Sequence, residues 1–175
     1  MKFRMNLALA LAAGMFATAA VAQAPTDPQI VGIVVAANQI DIDYGHLALA
    51  KTHNKQVRDF AQEMVTDHSA LQKSVFDLGA KLHVTPADSP TAASLKKQAA
   101  ETTAHLKTLH GAAFDKAYID NEVAYHKAVI GAVTTVLIPN AKNADLKSAL
   151  NGAAPLFQGH LEHAEHVQAD FASAK

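Results

Sequence analysis

The sequence predicts an all-α protein, a ferritin-like four-helix bundle with an extra short helix in the connection between the second and third long helices. Apolar residues recur at spacings of three and four along four long stretches, which is the period of amphipathic helices. Glycine and proline are sparse, at 8 and 6 of 175 residues, and alanine is abundant. Two of the predicted connections are short, so they should join antiparallel neighbours.

Helices A and B form the first predicted hairpin. Thr26 and Asp27 are cap candidates and Pro28 suits the first helical position, so helix A should begin there and end near residue 51. Its apolar stripe comprises Ile30, Ile33, Ala37, Ile40, Tyr44 and Leu47. Helix B, about residues 54–82, has apolar positions that alternate steps of four and three, as in a heptad seam. His68 occupies one of these seam positions.

A crossover separates helix B from helices C and D. The segment VTPADSPTA (84–92) breaks the pattern, and a shorter, more polar helix is predicted over about 91–109. Helix C should span about 112–138 and helix D about 144–172, with a kink or short break near Gly152 because Pro155 falls inside it. If the crossover helix travels the bundle length, B and C are parallel in an up-down-down-up bundle. A five-helix up-down bundle is the alternative.

The N-terminal segment is predicted to be a secretory signal peptide over residues 1–22, followed by a single ferritin-like helical domain over 23–175. Lys2 and Arg4 precede an apolar run over 7–20, and Ala20-Val21-Ala22 offers small residues for cleavage. The apolar run is short for a retained membrane anchor. We therefore expect an exported protein, with the bacterial periplasm as its compartment.

The net charge and the absence of cysteine exclude several classes of partner and of functional site. Without Lys2 and Arg4 the chain has 13 basic and 16 acidic residues, a net charge of −3, which argues against a nucleic-acid partner. There is no cysteine, so disulfides, thiolate metal sites and thiol nucleophiles are excluded. No apolar stretch after residue 22 is long enough to span a membrane, and no phosphate loop or Ser/His/Asp arrangement indicates an enzyme. A protein partner or a homo-oligomer stays open.

Several polar residues occupy core positions of the predicted helices. Each helical residue advances by about 100°. On helix C, Asp115, Glu122 and His126 therefore share one stripe with aliphatic residues. On helix B, His68 is central and Asp67 turns to the flank.

The segment GHLEHAEH (159–166) of helix D contains three histidines that do not share a face. His160 is central on the apolar stripe, His163 lies about 60° from it and His166 about 120°. The helical phase therefore directs His160 to the core and His166 to the solvent.

The positions of these residues along their helices place four of them at one level of the bundle. The predicted buried layer comprises His68, Glu122, His126 and His160. Imidazoles with a carboxylate suit iron, zinc, manganese or copper, and bundle interiors are where such sites are built. The side chains expected around the layer are those of Asp67, Asp115, Tyr118 and His163. A buried hydrogen-bonded network that fixes helix register is the alternative, and both interpretations remain open. Asp41, Glu63 and Asp67 are expected to form a solvated acidic flank.

Three segments resemble a known bacterial family, called domain of unknown function 4142. They are VRDFAQEMVTDHSALQ (57–72), FDKAYIDNEVAYHKAVI (114–130) and HLEHA (160–164), and the resemblance covers about 28–167. It implies an exported helical protein of ferritin-like type, and members are often labelled outer-membrane proteins, so association with that membrane is an expectation. The resemblance brings no established activity.

The leading hypothesis is a non-enzymatic exported bundle that binds a metal ion or a partner, with a role in envelope stress or metal handling. A structural or interaction module with a hydrogen-bonded polar core is the alternative. A redox metalloenzyme is less favoured. The usual di-iron site needs four carboxylates and two Glu-x-x-His pairs. This sequence has no Glu-x-x-His, and only Asp115 and Glu122 are carboxylates central on a stripe.

Overall fold

Five helices account for most of residues 24–173, the part of the chain that the computed structural model describes. The predicted signal peptide lies outside these residues. The helices are α1 (Asp27–Lys51), α2 (Lys55–Leu82), α3 (Pro90–Thr108), α4 (Gly111–Ala132) and α5 (Ala144–Ser173). No strand occurs within 24–173, so the all-α prediction is confirmed. Within the same range, no helix combines the length and hydrophobicity that crossing a bilayer requires.

Side-chain caps begin the helices close to where the sequence predicts them. Asn54 Oδ1 accepts hydrogen bonds from the backbone N–H groups of Gln56 and Val57, and Ser89 Oγ accepts one from Ala92 at 3.1 Å. These bonds satisfy amide groups that have no partner inside the helix. The short connections between α1 and α2 and between α4 and α5 each end at such a cap, Asn54 and Asn143, respectively.

The core divides into two parts that reveal the helix directions. The first, here called the aromatic core, comprises Ile40, Tyr44, Ala48, Val57, Phe60, Ala61, Met64, Leu106, Phe114, Tyr118, Ile119, Val123, Leu161, Ala164 and Val167. The second, here called the aliphatic core, comprises Ile30, Val31, Ile33, Ala36, Ala92, Val133, Leu137, Ala141, Leu146, Leu150 and Phe157. The aromatic core therefore collects the carboxyl ends of α1 and α5 with the amino ends of α2 and α4.

It follows that α1 and α5 run in one direction and α2 and α4 in the other, which is the predicted up-down-down-up arrangement. The crossover helix α3 travels the length of the bundle and packs mainly on α1. It buries only Ala92 and Leu106 fully, so it lies on the outside of a four-helix bundle. The five-helix up-down alternative is not adopted.

Pro155 lies inside a helix that does not break. Of the kink or short break predicted near Gly152, the break does not occur, because α5 is continuous across Pro155. Instead, α4 continues through a π-helical segment (Val133–Leu137) and one further turn (Ile138–Asn140). There the hydroxyls of Thr134 and Thr135 bond to backbone carbonyls one turn earlier.

Gly45 allows α1 and α2 to approach closely near the middle of the bundle. A Cβ atom at this position would lie 2.7 Å from Val65 Cγ2 and 3.0 Å from the carbonyl oxygen of Ala61. Only glycine leaves this space free. The close contact lies about one turn from Asp41 and places α1 directly beside the histidine of α2.

Candidate metal centre

A layer of buried polar residues separates the aromatic core from the aliphatic core. We call it the polar layer, and it comprises Asn38, Asp41, His68, Glu122, His126 and His160, each at most 2 % exposed. Two members come from α1, one from α2, two from α4 and one from α5. Buried polar groups destabilise a fold unless they are bonded, so the partners of each ring decide what the layer can do.

His68 of α2 has one ring nitrogen bonded and the other free. Its Nδ1–H donates to Asn38 Oδ1 at 2.9 Å. Nε2 has no hydrogen-bond partner among residues 24–173, and its nearest acidic atom is Asp41 Oδ2 at 3.5 Å. Because the amide oxygen of Asn38 takes the Nδ1 proton, the lone pair of the imidazole lies on Nε2.

His126 and His160 repeat this arrangement on α4 and α5. His126 Nδ1–H donates to the backbone carbonyl of Glu122 at 3.0 Å, and His160 Nε2–H donates to Asp67 Oδ2 at 3.0 Å. His126 Nε2 and His160 Nδ1 have no hydrogen-bond partner in the described part of the chain. Each histidine thus has an oxygen acceptor that fixes its tautomer, which is how proteins orient metal-binding imidazoles.

The three rings converge. Their centroids lie 5.1 Å apart for His68 and His160, 5.4 Å for His126 and His160, and 5.9 Å for His68 and His126. One nitrogen from each ring lies within 4.8 Å of the chosen nitrogens of the other two. Metal–nitrogen bonds of about 2.0–2.1 Å bring imidazole nitrogens to roughly 3.5 Å of one another. Small side-chain rotations would therefore close the three rings on an ion.

Burial keeps two of these imidazoles neutral at physiological pH. It lowers the pKa of His68 from 6.5 to about 3, helped by the neighbouring His160 and His126. Burial likewise lowers the pKa of His126 to about 4, against the opposing effect of its bond to the Glu122 carbonyl. A neutral imidazole is the form that binds metal, so protons do not compete for these two lone pairs near pH 7.

Asp41 and Glu122 form a buried carboxyl pair beside the histidines. Burial raises the pKa of Glu122 to about 8, although hydrogen bonding with Asp41 and Asn121 opposes the rise. Burial also raises the pKa of Asp41 well above its ordinary value, and the charge of Glu122 raises it further. The pair shares a proton because two adjacent buried carboxylates cannot both ionise. The expectation of a solvated Asp41 is wrong, since Asp41 is 2 % exposed.

The structure brings His68, His126 and His160 together and places two carboxyl groups beside them. Glu122 Oε2 lies 3.5 Å from His126 Nδ1, the nitrogen that already donates to a carbonyl. Asp41 Oδ2 lies 3.5 Å from Nε2 of His68, which has no hydrogen-bond partner in the described chain. One oxygen each of Asp41 and Glu122 and one nitrogen of His126 also lie within 4.8 Å of one another, so both carboxyls adjoin the three rings.

The residues expected around the layer separate into two groups. Asp67 bonds to His160, and His163 donates to Glu63 Oε2 at 2.6 Å while its ring packs edge-on against Phe60. Asp115 and Tyr118 are buried towards the amino end of α4. Neither bonds to an imidazole of the polar layer.

Exposure along α5 follows the helical phase of GHLEHAEH. The side chains of His160, His163 and His166 are 1 %, 36 % and 73 % exposed, respectively. The segment therefore supplies one core histidine, one at the margin and one in solvent. It is not a cluster that closes on a single ion by itself.

Asn38 and Asp41 are the polar-layer residues that sequence reasoning missed. They lie next to Ala37 and Ile40, one position away from the predicted apolar stripe of helix A. Helix α1 contacts α2, α3 and α4, so it is buried over a wider arc than one stripe. The continuous apolar run over 30–37, just before Asn38, is the sequence signal for this wider burial.

Comparison with known proteins agrees with the fold. The family described as "Domain of unknown function (DUF4142)" matches residues 12–167. No curated protein matches the chain. A solved structure of CopM in the Cu(II)-bound form aligns with a TM-score of 0.66 and 12 % identity, covering 85 % of this chain and 99 % of that chain. At this identity the likeness establishes a shared helical fold.

Proposed function

The chain belongs to the DUF4142 family, and from that premise we propose that it binds a transition-metal ion through His68, His126 and His160. One observation carries the proposal. Three buried imidazoles from three helices each bond through one nitrogen to a fixed acceptor and leave the other without a partner among residues 24–173. One nitrogen from each lies within 4.8 Å of the others.

A hydrogen-bonded network explains this arrangement less well. Within the described chain, the unpartnered buried atoms include one nitrogen of each of the three rings. Each unsatisfied buried group costs about 1–3 kcal/mol. A cation bound between the three rings would accept all three nitrogen lone pairs. A hydrogen-bonded network without a cation would leave these lone pairs facing one another without a partner.

The donor set indicates the class of metal. Three imidazoles with two adjacent carboxyl groups, those of Asp41 and Glu122, and no sulfur suit copper(II), zinc or iron(II) better than calcium or magnesium, which prefer oxygen. The structural likeness to a protein solved with Cu(II) supports testing copper first. The ion would sit between the three rings, where Asp67, Asn38 and the Glu122 carbonyl hold the ligand orientation.

The test is metal analysis of protein purified without a histidine tag and then exposed separately to copper(II), zinc and iron(II). We expect one ion per chain in the wild type and little or none in His160→Leu. The matched control is His166→Leu, which removes a 73 % exposed histidine two turns further along the same helix. Metal retained by His160→Leu, or lost equally in both variants, would contradict the proposal.

A second variant guards against misfolding of the first. His126→Asn keeps a side-chain donor near the position of Nδ1, since Asn140 and Asn151 donate to the carbonyls four residues earlier in the same way, but it removes the free ring nitrogen. We expect a folded helical protein, checked by circular dichroism, that no longer gains thermal stability from the metal. In the wild type, the ion at 100 times its Kd should stabilise the fold by about 2.7 kcal/mol.

We further propose that this metal binding operates after export, in metal handling or envelope stress. The support is the signal-like segment over residues 1–22 and the fold of the bundle. Cell fractionation tests the location. A chain recovered uncleaved in the cytoplasm would contradict it without affecting the metal proposal.

A further inference from the structure

Two carboxylates and an imidazole lie partly exposed directly outside the polar layer. Glu63 and Asp67 are one turn apart on α2, and His163 contacts Glu63 from α5, with side chains 39 %, 33 % and 36 % exposed, respectively. We call these three residues the rim site. Carboxylates and imidazoles are ligands of copper(II), zinc and iron(II), so the rim site suits the same class of ion as the three buried rings.

Contacts with neighbouring side chains hold the rim site in place. His163 Nδ1–H donates to Glu63 Oε2 at 2.6 Å, and the ring of His163 packs edge-on against the buried Phe60, with centroids 5.2 Å apart. One oxygen each of Glu63 and Asp67 and one nitrogen of His160 lie within 4.8 Å of one another. The two carboxylates can therefore reach one cation, with the imidazole of His163 beside them.

His160 connects the rim site with the three rings. Its Nε2–H donates to Asp67 Oδ2 at 3.0 Å, whereas Nδ1 has no hydrogen-bond partner in the described chain. The His160 side chain is 1 % exposed, and its ring centroid lies 5.1 Å from that of His68 and 5.4 Å from that of His126. One buried imidazole thus contacts a partly exposed carboxylate on one side and two buried imidazoles on the other.

The hydrogen bonds of the other two rings do not lead to solvent. His68 bonds to Asn38 and His126 to the carbonyl of Glu122, and these partners are buried. The cavity of the aliphatic core, of about 430 Å³, also adjoins the layer, but its wall is mainly aliphatic. An unpaired cation is costly in apolar surroundings, so an ion passes more easily between ligands than across such a wall.

We propose that the rim site captures the cation from solvent and passes it across His160 to the three rings, an inference that rests on the metal binding proposed above. Two partly exposed carboxylates raise the local concentration of cations and so speed association. The rim site is open to water and holds the ion more weakly than the buried rings do. At one equivalent of metal the ion therefore resides among the rings.

Rates of loading and release test the path. Quenching of tyrosine fluorescence by copper(II) reports arrival at the rings, because the ring of Tyr125 lies 6.1 Å from that of His126. Glu63→Gln with His163→Leu should slow loading, and release into excess chelator, by at least about tenfold each. The Kd should stay within about threefold, since a residue on the path changes the barrier and not the end states. Glu162→Gln, at an exposed α5 carboxylate bonded to Gln158, is the control and should keep wild-type rates.

Glu63→Gln alone changes one charge without changing the volume, and it serves if the double variant does not fold. Its loading and release should slow in parallel by at least about threefold. An unchanged loading rate in the folded variant would overturn the proposal. So would a weakened Kd with a wild-type loading rate, because the rim residues would then act on the rings and not on the path.

NMR detects the rim site without the three-ring site. In His126→Asn, copper(II) should broaden the ring signals of His163 but not those of His83 at the far end of α2. Adding Glu63→Gln and Asp67→Asn should abolish the broadening. Metal bound by the wild type without broadening of His163 in His126→Asn would refute the rim site alone. Broadening of His163 in a protein whose rings bind no metal would refute the three-ring site and the transfer to it.

Discussion

The two halves of the bundle are built from the same five helices but packed differently. In the aromatic core Phe60, Phe114 and Tyr118 are completely buried, and their ring centroids lie 6.1 Å apart for Phe60–Tyr118 and 6.2 Å for Phe114–Tyr118. The aliphatic core contains a cavity of about 430 Å³ and leaves Val136 41 % exposed at its edge. Aromatic pairs in close packing stabilise a fold beyond their buried area. The aromatic half should therefore supply most of the stability.

The polar layer lies at the border between these halves, and its position is informative. The packed half fixes the helices on one side, which holds His68, His126 and His160 in register. The looser half adjoins the layer on the other side, where His68 and Asp41 line the cavity. The packed core therefore supplies the rigid support that a buried site needs, and the cavity of the looser core reaches the polar layer from the other side.

The largest expected difference follows from truncating one residue in each half. Phe60→Ala should lower the free energy of unfolding by about 3–5 kcal/mol, because it opens a new cavity in a packed region. Leu78→Ala should cost less than about 2 kcal/mol, since Leu78 already borders empty space and is only partly buried. Urea unfolding of both variants measures the difference. Equal losses would refute the unequal packing of the two halves.

An alanine-to-leucine substitution should change the free energy of unfolding in opposite directions in the two halves of α5. Ala164→Leu places extra carbons where Ala164 is 0 % exposed, so overpacking should destabilise the protein by about 1–3 kcal/mol. Ala153→Leu, on the same helix but facing the cavity, should stabilise it by about 0.5–2 kcal/mol. Thermal unfolding of the metal-free protein provides the comparison. Destabilisation by both would mean that the cavity wall cannot accommodate a larger side chain.

The sequence predicts the fold better than it predicts the site, for a physical reason. Helix periodicity and caps depend on local neighbours, and Asn54 and Ser89 act where the pattern places them. The helical phase also predicts correctly that side-chain exposure increases from His160 to His163 to His166 of α5. Which carboxylate faces a free imidazole nitrogen depends on neighbours distant in sequence. Packing of α1 against α2 and α4 places Asp41 beside His68 and Glu122, and no single-helix pattern contains that information.

The pH dependence of stability distinguishes the contribution of the polar layer from the contributions of the two cores. Glu122 ionises near 4.5 in an unfolded chain, whereas burial raises its pKa to about 8 in the folded protein. The folded state therefore holds a proton that the unfolded state has lost, and stability falls as pH rises between these values. His68 and His126 act in the opposite sense. Their folded pKa values of about 3 and about 4 lie below 6.5, so they destabilise the fold only below that pH.

Between pH 6.5 and 8 the Asp41–Glu122 pair, and not the two histidines, therefore determines how the free energy of unfolding changes with pH. We expect the metal-free protein to lose stability across this interval by at most about 1.4 kcal/mol per pH unit, the value for one proton. Glu122→Gln combined with Asp41→Asn should flatten the profile, because burial raises the pKa of both carboxyls and neither replacement titrates. Asp59→Asn, which changes a carboxylate with 54 % side-chain exposure, serves as control and should keep the wild-type slope. An unchanged slope in the double variant would contradict the assignment of the proton to this pair.

The smallest effect concerns the end of α2 beside the aliphatic core, where His83 ends the helix in the left-handed conformation with φ 55°. A left-handed backbone costs a non-glycine residue about 1–2 kcal/mol, and the extra freedom of unfolded glycine offsets about 0.4–1 kcal/mol. His83→Gly should therefore raise the free energy of unfolding by about 0.5–1 kcal/mol, as measured in urea. His46→Gly, at an exposed position inside α1, should instead lower it by about 0.5 kcal/mol. Because His83 lies outside the cavity and the polar layer, metal binding should be unchanged. A change in metal binding would show that the looser half transmits strain to the polar layer.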